Sequence, residues 1–304
     1  MADTLSTAAD ARQAAMLRAM PAVFVLIWST GFVVARFGMP HSPPLHFLAV
    51  RYALSIAAFV LWIVLARAPW PQDRAQWKHL AVTGVLIHAG YLGGVWAAVK
   101  HGLAAGTVSL IVGLQPVLTA LWVSYTGQEH RIAPRQWLGL GLGLVGLLLV
   151  VWRKLFVGEL DAFNLGLALF ALASITAGTL YQKRHLKAHD VRTATCIQLM
   201  AALAVTAPLA LLEPEAMRWD AELVGAMAWS VLALTLGGSS LLFLLIQRGA
   251  ATQVTSLLYL VPPCTALQAW WLFGESLSAQ VLAGLAITAV GVALVVREPV
   301  RQRA

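Results

Sequence analysis

Charge is scarce in this chain. Only 11% of its 304 residues are Asp, Glu, Lys or Arg, against about 25% in soluble globular domains. Hydrophobic residues make up 60%, and the mean hydropathy is +0.77. An ordinary soluble domain is excluded. Cysteine is nearly absent, and Cys196 and Cys264 both fall inside apolar runs. They read as small buried hydrophobes rather than as a disulfide framework or a metal site. No Walker-type glycine loop occurs, so the chain does not itself hydrolyse ATP. His185 and His189 have helical metal-ligand spacing, but they lie in a basic stretch without a carboxylate cluster. A solvated loop is the simpler reading, and neither metal nor cofactor is expected. Residues 1–19 are polar and alanine-rich and run directly into a full-length apolar segment, so no cleavable leader is expected.

What the chain does have, it has twice. The stretch from Ala104-Ala105-Gly106-Thr107-Val108-Ser109 through Pro116 to Thr119-Ala120-Leu121 reappears as Ala250-Ala251-Thr252-Gln253-Val254-Thr255 through Pro262 to Thr265-Ala266-Leu267. Each copy continues to a glutamate, Glu129 or Glu275, and then to a glycine-rich apolar run. A spacing of nearly half the chain is the signature of internal duplication.

Apolar runs of about 20 residues, each able to cross a hydrocarbon core of about 30 Å, recur along both halves. The first half gives spans at 20–38, 45–66, 79–99, 103–125 and 135–152. The second gives 163–182, 192–212, 223–246, 252–273 and 278–296. The expected fold is an all-α integral membrane protein with ten transmembrane helices, arranged as two inverted five-helix repeats. Residues 20–152 and 163–297 form the repeats, 1–19 a cytoplasmic N-terminal segment and 298–304 a cytoplasmic tail. An odd number of spans per repeat makes the second copy enter from the opposite face, which is the arrangement that permits alternating access.

Lysine and arginine set the orientation. With the N-terminus inside, fifteen basic residues from Arg12 and Arg18 through Lys183, Arg184 and Lys187 to Arg303 fall on the cytoplasmic side. Only Lys100, Arg153, Lys154 and Arg218 fall outside, where six acidic residues between Glu159 and Glu222 accompany them. Both termini are therefore expected in the cytoplasm, with the chain in the inner membrane. The net charge of +8 is then a topological signal, and nucleic acid is rejected as a partner.

Four features carry a family resemblance. The first span holds Trp28-Ser29-Thr30-Gly31-Phe32-Val33, and the second holds Arg51-Tyr52. Pro116 followed by Glu129 in the fourth is repeated by Pro262 and Glu275 in the ninth, and the fifth and tenth spans are glycine-rich. In order, these resemble an EamA-type transporter of the drug/metabolite transporter superfamily, and within it the YddG-like amino-acid and metabolite exporters. The resemblance covers residues 20–152 and 163–297. It implies ten helices, a mid-membrane substrate cavity and alternating access.

Polar groups in hydrocarbon are costly unless they face a cavity or a partner. The candidate substrate-binding residues are Trp28, Ser29, Thr30, His88, Tyr91, Trp96, Gln115, Thr176, Ser239, Ser240 and Tyr259. Spans one, three, four, six, eight and nine form the expected lining, and spans two and seven the outer supports. The competing account is that serines and threonines bond their own helix backbone and that small residues permit close packing. Trp28, Tyr91, Trp96, Tyr181 and Tyr259 would give apolar or cation-binding walls with polar tips, suited to neutral, aromatic or hydrophobic amino acids. Trp62, Trp70, Trp77, Trp137, Trp152, Trp219 and Trp271 read as interfacial anchors.

Pro116 and Pro262 stand near the middle of their spans and are either hinges or fixed bends. No Asp or Glu lies inside any span. His88 is the deep titratable group, open to a proton relay, a substrate hydrogen bond or a structural role. A facilitator or weakly coupled exporter is expected. Arg51 either fixes packing or meets a substrate carboxylate, and Glu129 and Glu275 are mirrored gate or latch candidates. The Gly-x-x-x-Gly spacing in Gly139, Gly143 and Gly146 serves a contact within the monomer or a weak dimer.

Two other functions fit parts of the sequence. An intramembrane serine hydrolase would use Ser239 or Ser240 with His88. An importer of another small solute, such as a sugar, would use the same cavity in the other direction. The interior lacks the arginine and lysine expected for phosphate-bearing cargo.

Overall fold

A computed structural model describes residues 2–125, 134–157, 160–186, 189–241 and 260–296. All regular structure among them is helical. Helix α1 covers Ala2–Gly38 and α2 covers Pro44–Ala66. A third rod, α3, runs Arg74–Lys100 and is π-wound over Val85–Leu92. Helices α4 (Ala105–Val112) and α5 (Gln115–Tyr125) follow, then α6 at Pro134–Val157. In the second half α7 covers Ala162–His185 and α8 covers Val191–Ala210. The rod α9 runs Ala221–Leu241 and is π-wound over Ser230–Gly237. Helices α10 (Val261–Phe273) and α11 (Ala279–Val296) complete the described chain.

Among the described residues, six segments are long and apolar enough to cross a membrane: Ala19–Gly38, α2, α3, α7, α8 and α9. Shorter apolar helices lie at Ala105–Thr119, Trp137–Val150 and Ala279–Gly291. Large apolar side chains face outward along these rods, with Leu65 at 75% and Trp271 at 77% exposure. Such a surface is tolerated in lipid and unfavourable in water. Trp70 and Trp77, two of the expected anchors, stack with ring centroids 5.6 Å apart near the start of α3.

Contacts between linkers sort them into two ends. At one end the Glu213 carboxylate accepts from the backbone N–H groups of Leu45 and His46, both at 3.0 Å, and so caps α2. There Lys100 meets Glu215 at 2.6 Å, His41 meets Asp220 and Glu222, and Arg218 donates to the Pro40 carbonyl. Lys100 holds the Glu215 carboxyl below the usual carboxylate range. The Asn164 amide donates to the His101 carbonyl at the same end. At the other end Thr193 donates to the Pro69 carbonyl, and Gln76 lies between His185 and His189. The acidic end is the one that the Lys/Arg distribution assigns to the outside.

Close helix contact is made by glycine. A Cβ on Gly84 of α3 would stand 2.2 Å from the Gln198 carbonyl oxygen of α8, and one on Gly94 would stand 2.9 Å from the Leu167 carbonyl oxygen of α7. Thus α3 is a pillar pressed between the other two. Helices α6 and α11 meet the same way. A Cβ on Gly291 would lie 2.5 Å from the Gly143 nitrogen, and one on Gly146 would lie 2.5 Å from the Gly284 carbonyl oxygen. The Gly-x-x-x-Gly spacing is therefore used inside the monomer, joining the last helix of each half.

The two prolines differ from their expected setting. Span 103–125 is two helices, interrupted at Gly113-Leu114. Pro116 sits in the first turn of α5, where its missing N–H is no loss. Its ring would collide with the carbonyl of Val112, four residues back, and Val112 is where α4 ends. Pro262 likewise stands in the first turn of α10. A Cβ on Gly113 would come 2.8 Å from Pro262 Cγ, so the two helix starts adjoin.

Candidate functional site

Two rods change their winding at equivalent places. The π segments Val85–Leu92 and Ser230–Gly237 each have eight residues, and they begin 145 residues apart, close to the offset of the sequence repeat. A π turn widens the helix and redirects its carbonyls, and such turns cluster at functional sites. Here the Tyr52 hydroxyl of α2 donates to the His88 carbonyl at 2.7 Å. In α9 the Thr235 hydroxyl donates to the carbonyl of Ser230, five residues back.

Both segments line a cavity of about 120 Å³. Its walls come from Trp28, Gly31 and Phe32 of α1, and from Arg51 and Tyr52 of α2. Ile87, His88, Tyr91, Leu92, Val95 and Trp96 of α3 form a second side. Thr195 and Leu199 of α8 and Leu234, Thr235 and Ser239 of α9 close it. The surface is mostly apolar and aromatic with a few convergent polar groups, as in small-molecule sites generally. Trp96 is 1% exposed and stacks on Phe47, with centroids 4.3 Å apart. The Gln198 side chain of α8 interacts with the His88 ring.

Of the expected binding residues, Trp28, His88, Tyr91, Trp96 and Ser239 line this cavity. The others do not. Ser29 donates to the Leu26 carbonyl and also accepts from Gln268. Thr30 donates to the Ile27 carbonyl and accepts from Trp229 Nε1. Thr176 bonds Leu172, and Ser240 bonds Leu236. Gln115 donates to Thr179, tying α5 to α7. Ser29, Thr30, Thr176 and Ser240 thus follow the backbone-bonding account, because a hydroxyl in hydrocarbon takes the nearest helix carbonyl. Tyr259 and Glu129 lie outside the described residues.

The expected lining also shifts. Spans two and seven, read as outer supports, contribute Arg51, Tyr52, Thr195 and Leu199, whereas no described residue of spans four, six and nine lines the cavity. The reason is geometric: α3 packs directly on α8 through Gly84, which draws α8 and its partner α2 inward. Glu275 accepts from the Ala105 N–H at 3.3 Å, which ties the end of α10 to the start of α4. Neither Ser239 nor Ser240 hydrogen-bonds His88 among the described residues, and the arrangement expected of a serine hydrolase is not formed.

Arg51 is the residue whose role changes most. It is 8% exposed. Its Nε and Nη2 both point to Thr235 Oγ1, at 3.4 and 3.2 Å, and its guanidinium carbon lies 6.0 Å from the Trp96 ring centroid. Arg51 was visible in sequence as the one cation well inside span 45–66. Its facing hydroxyl was not, because Thr235 sits in a run that is apolar all round and carries no periodic signal.

A paired-half, all-helical membrane bundle around one small mixed cavity defines a carrier for small solutes. The sequence matches the EamA-like transporter family twice, at residues 19–152 and 163–297, and the chain belongs to that family. It is similar to a "Probable amino-acid metabolite efflux pump" of Salmonella typhimurium, 25% identical over 88% of this chain and 90% of that protein. It is also similar to the "Uncharacterized transporter YvbV" of Bacillus subtilis, 24% identical over 93% and 92%. The "Uncharacterized inner membrane transporter YedA" of Escherichia coli K12 is 26% identical over 83% and 81%. A solved structure shares the fold, with a TM-score of 0.62 at 18% identity, covering 91% of this chain and 95% of its own.

Proposed function

We propose that this transporter exports neutral amino acids with aromatic or branched apolar side chains from the cytoplasm across the inner membrane by alternating access. Two inverted five-helix repeats, both termini cytoplasmic, would carry the motion. The observation that carries the reading is the cavity itself. It has aromatic walls at Trp28, Tyr91 and Trp96, a small polar set at Arg51, His88, Thr195, Thr235 and Ser239, and no carboxylate among its lining residues.

The two π segments are the parts best suited to rearrange. Converting a π turn to an α turn shifts the register of everything beyond it, and both segments face the solute. The described lining holds no acidic group, which favours a facilitator or weakly coupled exporter over a carboxylate-driven pump. The relatives named as amino-acid metabolite efflux pumps agree with the solute class and the direction.

The test is flux of labelled amino acids in proteoliposomes, with His88→Ala and Trp96→Ala beside the parent. Phenylalanine and leucine are expected to move, with or without a pH gradient. Trp96→Ala should slow the aromatic solute more than the aliphatic one. Strict dependence on the gradient removes the facilitator reading. Movement of sugars and not amino acids would favour the importer instead.

A further inference from the structure

Arg51 is a buried cation without a counter-ion among the described residues. Among the described residues no carboxylate pairs with it, and its hydrogen bonds go to a single acceptor, Thr235 Oγ1. A guanidinium carries five N–H donors in a planar fork. Nε and one Nη2 hydrogen are used, so the Nη1 side of the fork has no described protein acceptor. Taking such a charge out of water is expensive unless something completes it. The aim of the fork is also fixed. Thr235 donates its own hydrogen to the Ser230 carbonyl at 2.8 Å, which turns its lone pairs toward Arg51. Trp96 holds the guanidinium from another side.

We infer that Arg51 is a carboxylate subsite, and that the carrier selects apolar monocarboxylates by their acid group, with an α-ammonium dispensable. This rests on the transport reading above and narrows it. A carboxylate presents two oxygens that match two parallel N–H groups of the fork. A single cation neutralises a monoanion but leaves a dianionic phosphate half unpaired. Among the described lining residues there is no Asp or Glu to receive an ammonium group, so amines meet a repelling charge and no carboxylate partner. Trp28 and Tyr91 give the apolar body of the solute its walls. Phenylalanine and 3-phenylpropionate should therefore bind alike, whereas phenylalaninamide and phenethylamine should not.

The experiment is competition and thermal-shift binding with these four compounds on the purified full chain, together with phenylalanine flux. For the parent, acids should outcompete the matched amide and amine by at least about tenfold, the range set by losing a hydrogen bond to a charged group. Arg51→Gln should weaken the acids roughly tenfold to a hundredfold and change the amide little. Arg51→Lys keeps the charge but loses the fork, and should fall between. If Arg51→Gln does not give a monodisperse protein, Thr235→Val serves, since it keeps the charge but removes the acceptor that aims the fork, and should weaken the acids selectively.

An amide that competes as well as its acid, or an Arg51→Gln protein that keeps the preference, overturns the inference. Failure of all four compounds to bind also overturns it. Phenylalanine flux with equal amide competition would sink this inference and leave the transport reading standing. Arg51-dependent binding of acids without any amino-acid flux would do the reverse.

Discussion

Substituting Gly84 by alanine should destabilise the protein, and the size follows from one contact. An added Cβ would lie 2.2 Å from the Gln198 carbonyl oxygen, 2.5 Å from its Cα and 2.7 Å from its carbonyl carbon. Unstrained contact needs roughly 3.5 Å, so α3 and α8 must part by about 1 Å. The obstructing atoms are backbone and cannot swing aside. Overpacking of this kind costs about 1–3 kcal/mol, which exceeds the gain of up to about 1 kcal/mol from replacing a helical glycine. Gly166 of α7 is the control, since it is exposed and has no atom within 4 Å of its added Cβ. There alanine should stabilise by up to about 1 kcal/mol. With a net cost of about 1–2 kcal/mol and roughly 2–4 °C per kcal/mol, thermal melting followed by tryptophan fluorescence should show Gly84→Ala lower by about 2–8 °C and Gly166→Ala slightly higher. Flux should also fall for Gly84→Ala at temperatures where it stays folded, because Gln198 also interacts with His88. Equal melting temperatures for the two variants would refute the contact argument.

Other outcomes follow from single interactions. Tyr52→Phe leaves the His88 carbonyl without the donor it has at 2.7 Å, and should lower stability by about 1–3 kcal/mol in the same melting assay. Glu213→Ala uncaps α2 and strips the partner from His46 Nδ1; a loss of about 0.5–2 kcal/mol is expected, with Glu213→Gln recovering part of it. The Asp190 carboxyl is held below its usual range, chiefly by the hydrogen bond from Arg192. Its stabilising effect is therefore complete above the ordinary carboxylate value of about 3.9 and is lost as pH falls through the lower folded-state value. Melting of Asp190→Asn between pH 5 and 3 should show a shallower acid limb than the parent.

The sequence made the helical class legible because length and hydropathy report it directly. Observed helices start and stop near most of the expected spans, with α2 at Pro44–Ala66 beside 45–66 and α8 at Val191–Ala210 beside 192–212. Span 103–125, continuous in hydropathy, is broken at Gly113-Leu114. Its interruption comes from the reach of the Pro116 ring back to Val112, a three-dimensional collision that a hydropathy profile does not carry. Residues 1–19 were read only as a polar segment, yet α1 extends to Ala2. In the cavity, aromatic and titratable residues such as Trp28, His88 and Trp96 stood out because each is unusual inside an apolar run. The small hydroxyls did not discriminate. Ser239 lines the cavity while its neighbour Ser240 bonds Leu236, a difference set by helix phase. That phase was unreadable because π winding changes it by a fraction of a turn at Ser230–Gly237.

The central claim is that the solute occupies the chamber between α1, α2, α3, α8 and α9. Ser239→Cys, introduced after replacing Cys196 and Cys264 with alanine, puts a reporter thiol on its wall. The measurement is the rate at which a small thiol reagent modifies that cysteine in proteoliposomes, with and without saturating phenylalanine. The account predicts marked slowing by phenylalanine and none by phenylalaninamide. An unchanged rate in the presence of a solute that the same vesicles demonstrably transport would contradict it.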